Sequence, residues 1–344
     1  MTRLILTTGV IPHGPEPAAP TRVVLPFQHR FDDLRRLVSG HPPTAAELDD
    51  YVAPWSEERQ QVPGSHWLDF VSSKYLNQFD LHGFGLVALC KCFETIELWI
   101  DPTANDQLEL IWLLDYLQRH DAIALHLFLR PTDGYIGVAS VDELAALNPP
   151  TIPITSAHTN IASKAWAAYR APTPQDWSDL LRDDLSPLPQ LRNAVLMLLA
   201  ELPATRTGLG TTQMGLLELV NSSKQRPLNV AINTLVYFNG ILRSVFNYWE
   251  TSALLEPLAF GPAPALSGLD PELQTVAPGN FRRRDELHKE SRMVLTALGE
   301  AILIGRDDYS QHNPIHRWWG GTELTNANLW RWDPVAQALI APEA

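Results

Sequence analysis

Glu94-Thr95-Ile96-Glu97-Leu98-Trp99-Ile100 is a β-branched, apolar run that stops at Asp101-Pro102-Thr103-Ala104-Asn105. It reads as a strand followed by a turn. From Asp106 to Arg119 the spacing changes to helical. Leu108, Ile111 and Trp112 are interleaved with Leu110, Leu113, Leu114 and Leu117, so this helix is apolar over much of its circumference and is expected to be buried. Ile123-Ala124-Leu125-His126-Leu127-Phe128-Leu129 reads as the next strand. Strand, helix and strand within about 35 residues make a βαβ unit, which implies a parallel sheet with a right-handed crossover.

Upstream, Leu4 to Leu6 and Arg22-Val23-Val24-Leu25 read as short strands. Phe31 to Val38, the stretch after Thr44 with Glu47 three residues on, and His66 to Phe79 read as helices. Residues 1–138 are therefore expected to form a three-layer, Rossmann-like α/β domain. Residues 139–205 read as a helical linker region, with helices at Val141–Leu147, Ser156–Tyr169, Pro174–Asp183 and Leu188–Leu202 punctuated by prolines. Residues 206–344 read as a winged-helix-like α+β region. Gly208-Leu209-Gly210-Thr211-Thr212 caps a helix through Val220, and helices follow near Val230–Tyr237 and Val245–Leu255. Gly261 to Asn280 reads as a long loop, and Leu295 to Leu303 as a strand end entering a short helix. Trp318–Leu324 and Leu329–Trp332 read as closing strands with a turn between them.

Composition narrows the function classes. The chain has 344 residues, 45% of them hydrophobic and 19% charged, which suits about two domains with sizeable cores. No apolar run reaches the roughly 18 residues of a membrane helix, and a cytoplasmic location is the expectation. Net charge is −13, with 14 basic against 24 acidic residues in 1–199 and 12 against 15 in 200–344. Such a surface repels phosphate backbones and anionic lipid, which disfavours nucleic acid and membrane as partners. Arg282-Arg283-Arg284 is the local exception. Cys90 and Cys92 are too close for a disulfide and lack a second pair for zinc, so they read as plain thiols.

Leu98-Trp99-Ile100 followed by Asp106-Gln107-Leu108-Glu109-Leu110, then Gly134-Tyr135-Ile136-Gly137, Ala165-Trp166-Ala167-Ala168-Tyr169, Leu188-Pro189 and Gly208-Leu209-Gly210-Thr211-Thr212 form an ordered set. It continues through Leu295-Thr296 with Gly299, Arg317-Trp318-Trp319-Gly320-Gly321-Thr322 and Trp330-Arg331-Trp332-Asp333. Taken together the set resembles a bacterial domain-of-unknown-function family. The chain departs from that family's pattern at Thr8-Gly9-Val10, at Asp101 to Asn105 and at His316. The resemblance implies an α/β part followed by a mostly helical part, and no activity.

Three patches carry candidate chemistry. Asp101, Asn105, Asp106 and Gln107 fall at a strand's carboxyl end, where open parallel sheets bind ligands. The aspartates there suit a ribose hydroxyl, a metal-bound water or a general base. The structural alternative is that they cap the helix. Asp307 to Trp318 packs two acids, two histidines and an arginine into 12 residues. Asp308, His312 and His316 would suit a metal if they shared a helix face, but Pro314 opposes a continuous helix. The alternative is a stabilised turn, with Arg317 beside Trp318 and Arg331 between two tryptophans stacking on aromatics. His82, among glycines in Asp80-Leu81-His82-Gly83-Phe84-Gly85, is either an acid–base group or part of a tight turn.

No nucleophile elbow, phosphate-binding loop or zinc-protease motif is present. Cofactor and catalysis are both left open. Two function classes stand nearly level: small-molecule binding or catalysis at the sheet edge, and non-enzymatic protein interaction. DNA binding through the winged-helix-like region is third.

Overall fold

The computed structural model describes residues 3–7, 22–26, 42–55, 66–68, 81–134, 149–222, 227–234, 245–277 and 279–342. The helices expected at Phe31–Val38 and Val141–Leu147, and most of His66–Phe79, lie outside them. The chain divides into two compact units. The first comprises residues 1–31, 42–170 and 179–194, and the second residues 32–41, 171–178 and 195–344.

The first unit is α/β. Strands β1 (Arg3–Thr7) and β2 (Arg22–Pro26) precede helices α1 (Ala45–Tyr51) and α2 (Leu86–Cys90). Then come β3 (Thr95–Ile100), α3 (Ala104–Leu117), the short α4 (Asp121–Ala124) and β4 (Leu127–Pro131). The two-residue β5 (Ile152–Pro153) and α5 (Ser156–Tyr169) follow. The sheet order is β2–β1–β3–β4–β5, parallel except for β5 at the edge. Helix α1 opens at a reciprocal cap: Glu47 N–H donates to Thr44 Oγ1, and Thr44 N–H donates to Glu47 at 2.8 Å.

Helix α3 is buried on nearly every side, as its sequence predicts: Leu108, Leu110, Ile111, Trp112, Leu113, Leu114 and Leu117 are all buried, and it packs against α5. Each such side chain contributes about 1.5–3 kcal/mol. The strand expected from Ile123 starts later, at Leu127. Residues 121–124 instead form one helical turn, in which His120 accepts from the amides of Ile123 and Ala124.

The second unit is mostly helical. Helices α6 (Gln175–Asp179) and α7 (Leu191–Leu199) lie across the boundary in sequence. Helices α8 (Thr211–Ser222), α9 (Leu228–Asn233) and α10 (Tyr248–Phe260) follow, then α11 (Phe281–Glu290), α12 (Ala297–Leu303) and α13 (Tyr309–His312). Leu216, Leu217, Ile232, Leu255, Leu258, Leu287 and Ile302 form its core. Helix α10 starts at Tyr248, later than the expected Val245, because Asn247 caps it by accepting from the amides of Trp249 and Glu250.

Among the described residues, three two-stranded pairs complete this unit. The Gly261–Asn280 stretch is not one long loop: it contains β6 (Leu266–Ser267), paired with β7 (Val294–Leu295), and a 3₁₀ turn at Pro271–Gln274. The closing strands also differ from expectation. Trp318–Leu324 is itself a hairpin, β8 (His316–Trp319) to β9 (Thr322–Thr325), turning at Gly320, whose φ of 51° suits glycine. Strand β10 (Arg331–Asp333) forms a separate hairpin with β11 (Ala338–Ile340). No helix among the described residues is long and apolar enough to cross a membrane.

Candidate functional site

The strand order places Asp101 where ligands bind in folds of this kind. Neighbouring β1 and β3 leave their crossovers in opposite directions along the sheet, and the crevice beyond their carboxyl ends is the topological switch point. Asp101 follows β3 directly and is fully buried. Its Oδ1 accepts from the hydroxyl of Thr132, the residue after β4, at 2.6 Å. The Gln107 amide donates to the Asp101 carbonyl at 2.9 Å and to Gln190 Oε1 at 3.1 Å. Gln190 in turn donates to the Thr132 carbonyl at 2.6 Å. Asp106 Oδ2 accepts from the Thr103 hydroxyl at 2.7 Å, and that hydroxyl oxygen accepts from the Asp106 amide. The structure thus joins Asp101 and Gln107 through backbone and amides, while Asp106 completes the cap of α3. The His82 backbone lies in a 3₁₀ turn, Leu81–Gly83, and its side chain lies outside the described residues.

One face of the same sheet carries buried charge that the sequence reading did not single out. Glu97 lies 3.3 Å from Arg3 Nε and 3.9 Å from Arg130 Nε, and it accepts from Trp99 Nε1 at 2.7 Å. The Arg130 guanidinium sits 5.3 Å from the Trp99 ring centroid. The alternation Thr95, Glu97, Trp99 against Ile96, Leu98, Ile100 was the available signal. Cys90 is buried, which pushes its thiol up to about 12, and Cys92 is exposed.

The Asp307–Trp318 patch is not gathered round a common point. His312 Nε2 lies 2.8 Å from Asp307, His316 Nε2 lies 3.0 Å from Glu323 across the β8–β9 hairpin, and Asp308 Oδ2 lies 2.8 Å from Arg331. The helix ends at His312 and His316 begins a strand, so the four-residue spacing carries no shared face. Among the described residues no three His, Cys, Asp or Glu side chains come together as a metal site would need. Trp318 stands opposite Glu323 in the hairpin, and Arg317 donates to the Glu201 carbonyl.

What this patch builds is a support. Arg331 donates to Ala204 O at 3.2 Å and to Ser310 Oγ at 2.6 Å. Tyr309 N–H donates to Thr207 O at 2.9 Å. Gly208 has a φ of 69°, and a Cβ there would meet Asp308 Oδ1 at 2.1 Å, so only glycine fits. These contacts fix the turn Ala204–Gly208. The buried Glu201 carboxylate then caps α8, accepting from Thr212 N at 3.2 Å and Thr212 Oγ1 at 2.7 Å.

That turn borders a cleft of about 800 Å³, within the size range of small-molecule sites. Helix α8 contributes one stripe at helical spacing, Thr211, Met214, Gly215 and Glu218. The end of α12 supplies Leu303 to Gly305, and the start of the last hairpin supplies Trp332 to Val335. Ile304 and Val335 at this cleft are exposed, Val335 at 94%. Arg206 lies against Gly305: a Cβ there would be 3.0 Å from the guanidinium carbon. Among the described residues Arg206 and Glu218 form no ion pair, and the buried Thr207 hydroxyl has no hydrogen-bond partner. No local sequence signal marks this cleft, because its lining comes from three separated segments.

The second unit holds one further relay. His288 is buried, with Nδ1 3.0 Å from Tyr248 Oη and Nε2 3.0 Å from Ser252 Oγ. Tyr248 donates to Asp285 at 3.3 Å, so its oxygen accepts from Nδ1–H and Nε2 accepts from Ser252. Burial, reinforced by the positive charge of Arg284, holds the imidazole down to about 4 and therefore neutral. Ser252 is buried as well, which makes this a satisfied core relay. In the Arg282–Arg284 spot, Arg282 lies 3.5 Å from Glu286, Arg283 pairs with Glu272 and Glu286, and Arg284 with Glu256. No protein-family model matches this chain, and no curated protein matches it.

Proposed function

We propose that the chain is a small-molecule-binding protein whose ligand occupies the cleft between α8, the end of α12 and the last hairpin. The observation that carries this reading is an apolar hollow of about 800 Å³ bordered by unpaired polar groups. Ligand sites are concave and mostly apolar, with a few polar groups that fix orientation. The test is a thermal-shift screen of amino acids, short peptides, fatty acids, nucleotides and sugars, because ligands that bind only the folded state raise the melting temperature. At least one class is expected to raise it, Gly215→Phe to remove that shift by filling the cleft, and Asp106→Ala to keep it. No shift with any class would sink the reading.

A second reading places the ligand at the carboxyl edge of the sheet, and the switch-point position of Asp101 favours it. A shift lost in Asp106→Ala and kept in Gly215→Phe would support that reading instead. DNA binding through a winged-helix-like second unit has less support, since Arg282, Arg283 and Arg284 are each matched to a carboxylate. The likeness to a domain-of-unknown-function family enters this proposal as architecture only.

A further inference from the structure

We infer that the cleft takes a short apolar peptide with both ends free, its carboxylate toward Arg206 and its ammonium toward Glu218. This rests on the reading of the cleft as a ligand site. A guanidinium and a carboxylate border one apolar hollow and do not pair with each other. Asp333 also lines it, but its Oδ1 is taken by the amides of Val335 and Ala336, both at 2.9 Å, so it belongs to the hairpin turn. An anionic ligand would gain from Arg206 and be repelled by Glu218. A cationic ligand would meet the reverse. A ligand with both charges gains at each end.

The length of the cleft wall suits a short peptide. The stripe of α8 that lines it runs from Thr211 to Glu218, seven residues along. Seven residues of helix rise about 10 Å, which about three extended residues span. Leu209, Met214 and Leu303 offer apolar wall to the side chains between. Thr207, which also lines the cleft, supplies a buried hydroxyl without a partner.

The experiment is titration calorimetry at low salt with the tripeptide Leu-Ala-Leu, its N-acetyl form and its C-terminal amide. The free peptide is expected to bind, and blocking either end to weaken it by about threefold to tenfold. Arg206→Gln then no longer distinguishes acid from amide, and Glu218→Gln no longer distinguishes amine from acetyl. Both residues are exposed, so both variants keep the fold. Thr207→Val loses affinity while its own melting temperature is unchanged or higher. Blocked peptides that bind as well as the free one would overturn the inference. If Leu-Ala-Leu fails but 1-octanol binds and Gly215→Phe abolishes that binding, the peptide falls and the cleft stands. If neither probe binds, both fall.

Discussion

Two polar sites, one in each unit, differ in how their groups are satisfied. At the sheet edge of the first, the buried Asp101, Thr132 and Gln107 and the half-buried Gln190 bond to one another in a ring. At the cleft of the second, Arg206 and Glu218 face an apolar hollow unpaired, and the Thr207 hydroxyl is left over. Buried polar groups are nearly always satisfied, and the satisfied ones hold structure. At the cleft the groups available to a ligand are the exposed Arg206 and Glu218 and the buried, unpartnered Thr207 hydroxyl. A motif-like position alone therefore decides less than the hydrogen-bond accounting around it.

The largest effect that would sharpen this contrast is expected in the sheet. Glu97→Ala leaves Arg3 and Arg130 without their carboxylate and is expected to cost about 3 kcal/mol of stability, measured by urea unfolding. An unchanged midpoint would break the view that the first unit's polar groups are structural. A similar loss is expected in the second unit from acid. His288 titrates near 4 when folded and near 6.5 when unfolded. As pH falls from about 6.5 to about 4, the unfolded chain takes up a proton that folded His288 refuses. Its contribution is therefore complete above 6.5 and is lost by up to about 3 kcal/mol on acidification. Unfolding at pH 7.5 and pH 5 checks this, and His288→Gln is expected to flatten the difference.

Smaller effects separate cap from cleft. Asp106→Ala removes the acceptor of the Thr103 hydroxyl at the start of α3 and is expected to cost about 1 kcal/mol without altering ligand binding. Thr207→Val is expected to leave stability within about 0.5 kcal/mol, or raise it, because it deletes an unsatisfied buried hydroxyl. A clear fall in melting temperature for Thr207→Val would show that this hydroxyl serves the fold.

The β3–α3–β4 unit was legible because a short β-branched apolar run, a turn at Asp101–Asn105, a long leucine-rich run and a second short apolar run follow in order. The position of Asp101 followed from that unit alone. Its bond with Thr132, 31 residues onward, and the link through Gln107 to Gln190 belong to the tertiary fold. Glu97 was hidden by reading its strand as a plain apolar run. The Asp307–Trp318 patch stood out by composition, yet its Asp308 works through Arg331 as a brace for the turn beside the cleft. The cleft left no local signal: Arg206, Glu218, Gly305 and Trp332 meet only when the hairpin and α12 close round α8.

The most direct measurement is a ¹⁵N spectrum of tryptophan indoles during titration with Leu-Ala-Leu. Trp332 lines the cleft and Trp99 lies in β3, two residues before Asp101, and each is assigned by its Phe variant. The account predicts that the Trp332 resonance moves with saturation while Trp99 stays fixed. Movement of Trp99 with Trp332 unchanged would contradict it and return the site to the sheet edge.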